Sequence, residues 1–167
     1  MTNPQTPDEA FDGLFSQTQI RHLMKTEFGR AKRYEYDLSC IMLEIDGIGA
    51  FRDHFGFDAK EDLCSDFVSL LRTVTRSCDY LGRMMDDRFL AVLPHTALPG
   101  TSVLVNRLQE RLSDIELPDG AADTPLHLTC GSAHFSGGSP MFFDALLDGA
   151  QAALLAADPG THKIQDS

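Results

Sequence analysis

The sequence predicts one α/β domain of the α+β kind, a central mixed, mostly antiparallel sheet flanked by helices. Three observations predict it. Short apolar runs alternate with longer stretches whose apolar residues recur every three or four positions. Two of the runs, Tyr80–Met84 and Phe89–Leu93, are separated by a single turn and read as a hairpin. The 167 residues, 43% hydrophobic and 23% charged, suit a single globular core.

Residues 1–8 hold two prolines among polar neighbours and read as a flexible N-terminal lead, with the domain proper over residues 9–167. Ile20, Leu23, Met24, Phe28 and Ala31 predict an amphipathic helix from Ser16 to Arg33, with Ser16 as its N-cap. Leu38–Ile45 reads as a buried central strand. A second helix spans Asp58–Thr75, with Leu63, Phe67, Leu70 and Leu71 inward. After the hairpin, Pro94 ends the strand, a helix covers Thr101–Ile115, and Pro118-Asp119-Gly120 marks a loop. Leu126–Phe135 reads as a strand and residues 136–140 as a turn. Phe142–Ala157 is an alanine-rich helix, and an edge strand is expected around Lys163 and Ile164.

A formal net charge of −11 argues against a general nucleic-acid or membrane-surface binder, since both demand a basic footprint. It leaves room for a small anion held by a few clustered arginines. Cys40, Cys64, Cys78 and Cys130 show no zinc spacing, and Cys40 and Cys130 read as buried free thiols. The six histidines include no pair at metal spacing, and Gly137-Gly138 reads as a turn rather than a phosphate loop. Met84 and Met85 suit either a sticky partner patch or packing against the first helix. No run reaches the ~20 apolar residues of a membrane span. A cytoplasmic location is the expectation.

Several pieces in order resemble one family. They are Gly13-Leu14, Arg30-Ala31-x-Arg33, Leu38-Ser39, Glu44-Ile45-Asp46, Phe55-Gly56-Phe57, Leu93-Pro94-x-Thr96 and Thr129-Cys130-Gly131-Ser132-Ala133. With Arg76-x-x-Asp79 and the hairpin Arg83–Phe89 they resemble the GGDEF domain, the bacterial family that condenses two GTP into cyclic di-GMP. The likeness runs from about Glu9 to Ile164 and implies a nucleotidyl-cyclase-like fold.

The same resemblance implies lost chemistry. Family members carry Gly-Gly-(Asp/Glu)-Glu-Phe where this chain has Met85, Asp86, Asp87, Arg88 and Phe89. Glycines there let backbone amides approach phosphate. Methionine takes that space and aspartate adds repulsion. Arg88 stands in place of a glutamate implied in metal binding and proton removal, and an arginine is no base at neutral pH. Gly49, Arg52, Glu61, Ala157 and Thr161 align with further nucleotide-binding positions, and the cations implied at Gly49, Ala157 and Thr161 are gone. No catalytic residue, resident metal or required cofactor is expected. Glu44 and Asp87 are the weak candidates for a metal.

Arg76 and Asp79 match the family's inhibitory product-binding site, and Arg107 aligns with a second arginine that completes it, often from a neighbouring domain. An arginine fork suits the guanine O6/N7 edge or a phosphate, and a carboxylate accepts from guanine N–H groups. The bland alternative is an idle surface ion pair three residues apart. The expectation is thus an inactive domain that receives cyclic di-GMP through Arg76, Asp79 and Arg107 and couples it to a protein partner or to self-association. The alternatives are a ligand-independent scaffold and a domain that holds GTP without turnover.

Overall fold

The computed structural model describes residues 14–121 and 126–165. The lead expected over residues 1–8 and the domain boundary at residue 9 lie outside them. The elements are α1 (Gln17–Tyr34), β1 (Leu38–Asp46), α2 (Ile48–Phe55), α3 (Phe57–Val74), β2 (Tyr80–Arg83), β3 (Phe89–Pro94), α4 (Leu98–Arg111), β4 (His127–Phe135), α5 (Phe143–Ala156) and β5 (His162–Ile164). A tight turn occupies Met85–Asp87, and a single turn of 3₁₀ helix Leu112–Asp114.

Ser16 starts α1 as the sequence suggests. Its hydroxyl accepts from the Gln19 backbone N–H at 3.2 Å, and the Gln19 side chain accepts from the Ser16 N–H at 3.0 Å. This reciprocal capping satisfies two N–H groups that the first turn would otherwise leave unpaired.

Two helices differ from the sequence reading, and α4 also ends at Arg111, ahead of the expected Ile115. Helix α2 was not anticipated: it is eight residues long, buries only Ile48 and Phe51, and is bracketed by Gly47 and Gly56. So short a run has too little periodicity to register. Helix α4 begins at Leu98, ahead of the expected Thr101, because Pro99 lies in the first turn, where no intrahelical N–H is required.

The sheet order is β2-β3-β1-β4-β5, antiparallel throughout except for the parallel β4–β5 pair. Ile41, Leu43 and Ile45 of β1, with Phe89, Ala91 and Leu93 of β3, face Phe67 and Leu71 of α3 and Val105 and Leu108 of α4. Cys40 and Met42, with Leu90 and Val92, face Ile20 and Met24 of α1 and Leu146 and Ala150 of α5. Strand residues alternate between faces, and both faces are covered, so β1 reads as an unbroken apolar run. Cys40, Cys64 and Cys130 are buried free thiols, with burial pushing Cys40 up to about 12 and Cys64 to about 11. The two methionines divide: Met84 packs beside the α1 core, while Met85 is 72% exposed. Among the described residues no helix is long and apolar enough to cross a membrane.

The β2–β3 hairpin positions the candidate sites. The Arg76–Asp79 turn precedes β2 at one end, and the Met85–Asp87 turn joins the strands at the other.

Candidate functional site

The hairpin turn closes with the Met84 N–H donating to the Arg88 carbonyl at 2.7 Å. Asp86 (φ 62°) and Asp87 (φ 58°) both adopt the left-handed conformation. Aspartate tolerates that region better than most side chains. The Met85 N–H donates to the Gln17 side chain at 2.9 Å, so this amide is engaged by α1. Phe89, next in the chain, is fully buried against Phe67.

Around the turn the protein neutralises its own charges. Asp87 accepts from Lys60 Nζ at 3.0 Å and from Arg83 Nη2 at 3.2 Å. Arg83 also forks onto Glu61, at 3.0 and 2.9 Å. The Lys60 side chain is only 7% exposed, so these contacts are shielded from water. Arg83 bonding leads, over burial, in holding the Glu61 carboxyl below its usual range. Burial favours the neutral form of Asp87, but the Lys60 and Arg83 hydrogen bonds outweigh it and its pKa falls. Burial likewise opposes charge on Lys60, and its two carboxylate partners overcome that and raise it.

Glu44 completes the group. Leu43 pairs with Phe89 across β1 and β3, so Glu44 lies opposite Arg88, with Arg88 Nε 3.7 Å from its carboxylate. That Nε is buried and has no hydrogen-bond partner. Glu44 and Asp87, the weak metal candidates, therefore each face a cation of this chain. A divalent ion at either carboxylate would meet a guanidinium or an ammonium. Among the described residues, no three His, Cys, Asp or Glu side chains converge on one point.

At the other end of the hairpin, Arg76 and Asp79 are brought together as expected, but unequally. The Asp79 side chain is 2% exposed and turned into its own turn, where it accepts from the Arg76 N–H at 2.7 Å. The Arg76 side chain is 52% exposed. Its Nη2 reaches Asp79 Oδ1 at 3.2 Å, the Pro94 carbonyl at 2.6 Å and Thr96 Oγ1 at 2.7 Å. All of its side-chain bonds use that one nitrogen, and among the described residues Nε and Nη1 have none. Arg76 and Asp79 help line a hollow of about 320 Å³, together with Phe15, Arg72, Thr75, Ser77 and Leu81.

Arg107 is not brought to this hollow. It is exposed on α4, which packs against the α3 side of the sheet. Lys60 is the site residue that sequence reasoning missed. Its signal was present: it shares the inward spacing of Leu63, Cys64, Phe67 and Leu71, and a lysine at such a position calls for a buried counter-charge. Thr96 was quoted only as part of a motif, yet it helps hold Arg76.

A five-stranded mixed sheet of this order, flanked by five helices, is the GGDEF fold. The chain belongs to the GGDEF family: the model described as "Diguanylate cyclase, GGDEF domain" matches residues 10–161. It is similar to a diguanylate cyclase of Vibrio cholerae, 28% identical over 90 residues, covering 54% of this chain and 28% of that protein. The GGDEF domain of DgcB from Caulobacter crescentus, solved with c-di-GMP, superimposes with a TM-score of 0.87 at 15% identity, covering 100% of this chain and 97% of that one. The cyclase SiaD from Pseudomonas aeruginosa, solved with its activator SiaC, gives 0.82 at 19% identity, covering 92% of this chain and 59% of that one. At such identities the two structures bear on the fold alone. The chain spans between 18% and 33% of the length of the curated relatives it matches.

Proposed function

We propose that this chain is a GGDEF domain without cyclase chemistry that binds cyclic di-GMP through Arg76 and passes that state to a protein partner or a second copy. The observation that carries the ligand reading is the half-exposed Arg76, held through Nη2 at the edge of the hollow that it helps to line. Asp79 holds the arginine in place and itself lines the hollow. The hollow is near the lower end of ligand pockets, about 300–1,000 Å³, so one copy grips part of the dinucleotide. Arg107, exposed on α4, supplies the second grip from a neighbouring copy. Neighbours of the same fold have been solved with c-di-GMP and with a protein activator, so the fold itself admits both kinds of occupant.

Absence of turnover is supported at the hairpin. Phosphodiester formation needs metal ions and a positioned base. Here Arg88 lies against Glu44, Lys60 and Arg83 occupy Asp87, and Glu61 is forked by Arg83. Those same pairs weigh against a GTP-holding domain, because its nucleotide contacts must first be broken.

Calorimetry with cyclic di-GMP tests the proposal. The expected result is micromolar binding that Arg76→Ala weakens by about 10- to 100-fold, the loss of one charge-assisted contact of about 1.5–3 kcal/mol. No heat with the wild type leaves the ligand-independent scaffold as the reading. Binding untouched by Arg76→Ala puts the site elsewhere. Incubation with GTP and Mg²⁺ is expected to yield no cyclic di-GMP, and any enzymatic product overturns the inactive assignment.

A further inference from the structure

The chain carries a net −11, yet its cations are not spread evenly. Helix α1 holds Arg21, Lys25, Arg30, Lys32 and Arg33, five of the fourteen, and its one acid, Glu27, is buried and pairs with Arg30 alone of the five, at 3.5 Å. Between α1 and the start of α5 runs a groove of about 520 Å³ lined by Arg21, His22, Lys25, Phe142 and Phe143. Phe142 is 77% exposed, with Lys32 Nζ 5.9 Å from its ring centre. The acid in this groove, Asp144, meets Arg21 at 3.4 Å with both side chains mostly exposed, a pair of little strength.

On the other side of the sheet the pattern reverses. The outer face of α3 presents Asp62 and Asp66, and the chain after α4 adds Asp114 and Glu116. Two shallow grooves there, about 400 and 370 Å³, share Asp66 and Glu116. Among the described residues their lining includes one cation, Arg111, which is engaged by Asp114 at 3.8 Å and Thr73 at 2.7 Å. Because α1 packs in one core and α3 in the other, the basic and acidic faces of a single copy cannot meet.

We propose that a second copy of this chain supplies the partner: the basic, phenylalanine-edged α1–α5 groove docks on the acidic α3 face of the next molecule. Such a head-to-tail contact is heterologous and leaves one free face of each kind, so it extends beyond two copies. Complementary potential sets its register, while the overall negative charge of each copy opposes it and keeps it weak. This surface goes beyond the nucleotide reading, since it uses neither Arg76 nor Arg107.

Sedimentation equilibrium of the nucleotide-free full chain tests it. Raising salt from about 0.1 M to about 1 M shortens the screening length from about 10 Å to about 3 Å, and association at submillimolar protein is expected to weaken at least about tenfold. Arg21→Glu/Lys25→Glu and Asp62→Lys/Asp66→Lys are each expected to be monomeric alone and to associate when mixed in equal amounts. All four positions are exposed, and circular dichroism melts report that the variants fold. A wild type that stays monomeric at low salt, an association that survives either reversal, or a mixture no better than its parts overturns the proposal. None of these outcomes bears on cyclic di-GMP binding, which calorimetry reads separately.

Discussion

At the residue scale the hairpin is governed by who neutralises each carboxylate. Glu61 and Asp87 ionise more readily in the folded protein than in the unfolded chain. Their contribution is therefore complete above the ordinary carboxylate range, about pH 4, and is lost as pH falls through their lower folded values. His162, lowered by burial, adds a loss of the same sign that begins nearer its ordinary value of about 6.5. Urea unfolding across pH is expected to show stability falling on acidification, with a shallower acid limb in Glu61→Gln/Asp87→Asn. An unchanged acid limb would assign the loss to other groups. Arg88 makes a second prediction. With a guanidinium at Glu44, wild-type melting should be unmoved by Mg²⁺ or by chelator. Arg88→Glu puts like charges side by side, lowers the melting temperature, and makes Mg²⁺ raise it again, by about 2–4 °C per kcal/mol recovered in a chain of this size. A Mg²⁺-dependent rise in the wild type would sink the self-neutralised reading.

At the element scale the decisive contact is α5 on β4. A Cβ added at Gly131 would lie 2.1 Å from the Leu154 backbone nitrogen and 2.3 Å from the Ala150 carbonyl oxygen. These are backbone atoms of a packed helix and cannot swing aside. Gly131→Ala is expected to cost about 1–3 kcal/mol or more by denaturant unfolding. Gly29→Ala on α1 is its control, because a Cβ there meets nothing within 4 Å, and a gain of about 0.5–1 kcal/mol is expected. Equal effects at both positions would remove the close-approach explanation. The same tight seating brings α5 beside the outer face of α1 and so builds the groove with Phe142 at its edge.

At the scale of the whole molecule, two separations matter. The hairpin keeps the Arg76 turn and the Met85 turn at opposite ends, so the product-binding reading and the loss-of-chemistry reading stand or fall on different side chains. The sheet keeps the basic α1 and acidic α3 faces on opposite sides, which is why the proposed assembly is head-to-tail and salt-sensitive. A symmetric pairing of α1 faces would bring five cations of each copy together and is disfavoured by like-charge repulsion.

The sequence by itself determined the family, the order of the strands and longer helices, the capped start at Ser16 and the hairpin at residues 83–89. Each of these is written in local spacing: periodicity of two or 3.6, a cap three residues from its partner, a motif with no gaps. Helix α2 escaped because eight residues carry too little of that signal. The tertiary structure alone decided which charges meet. Lys60 reaches Asp87 across 27 positions, Glu44 faces Arg88 through strand register, Asp79 turns inward while Arg76 stays out, and Arg107 lies on another element. Such partners are chosen by register and helix docking, which depend on the whole core, and no local pattern encodes them.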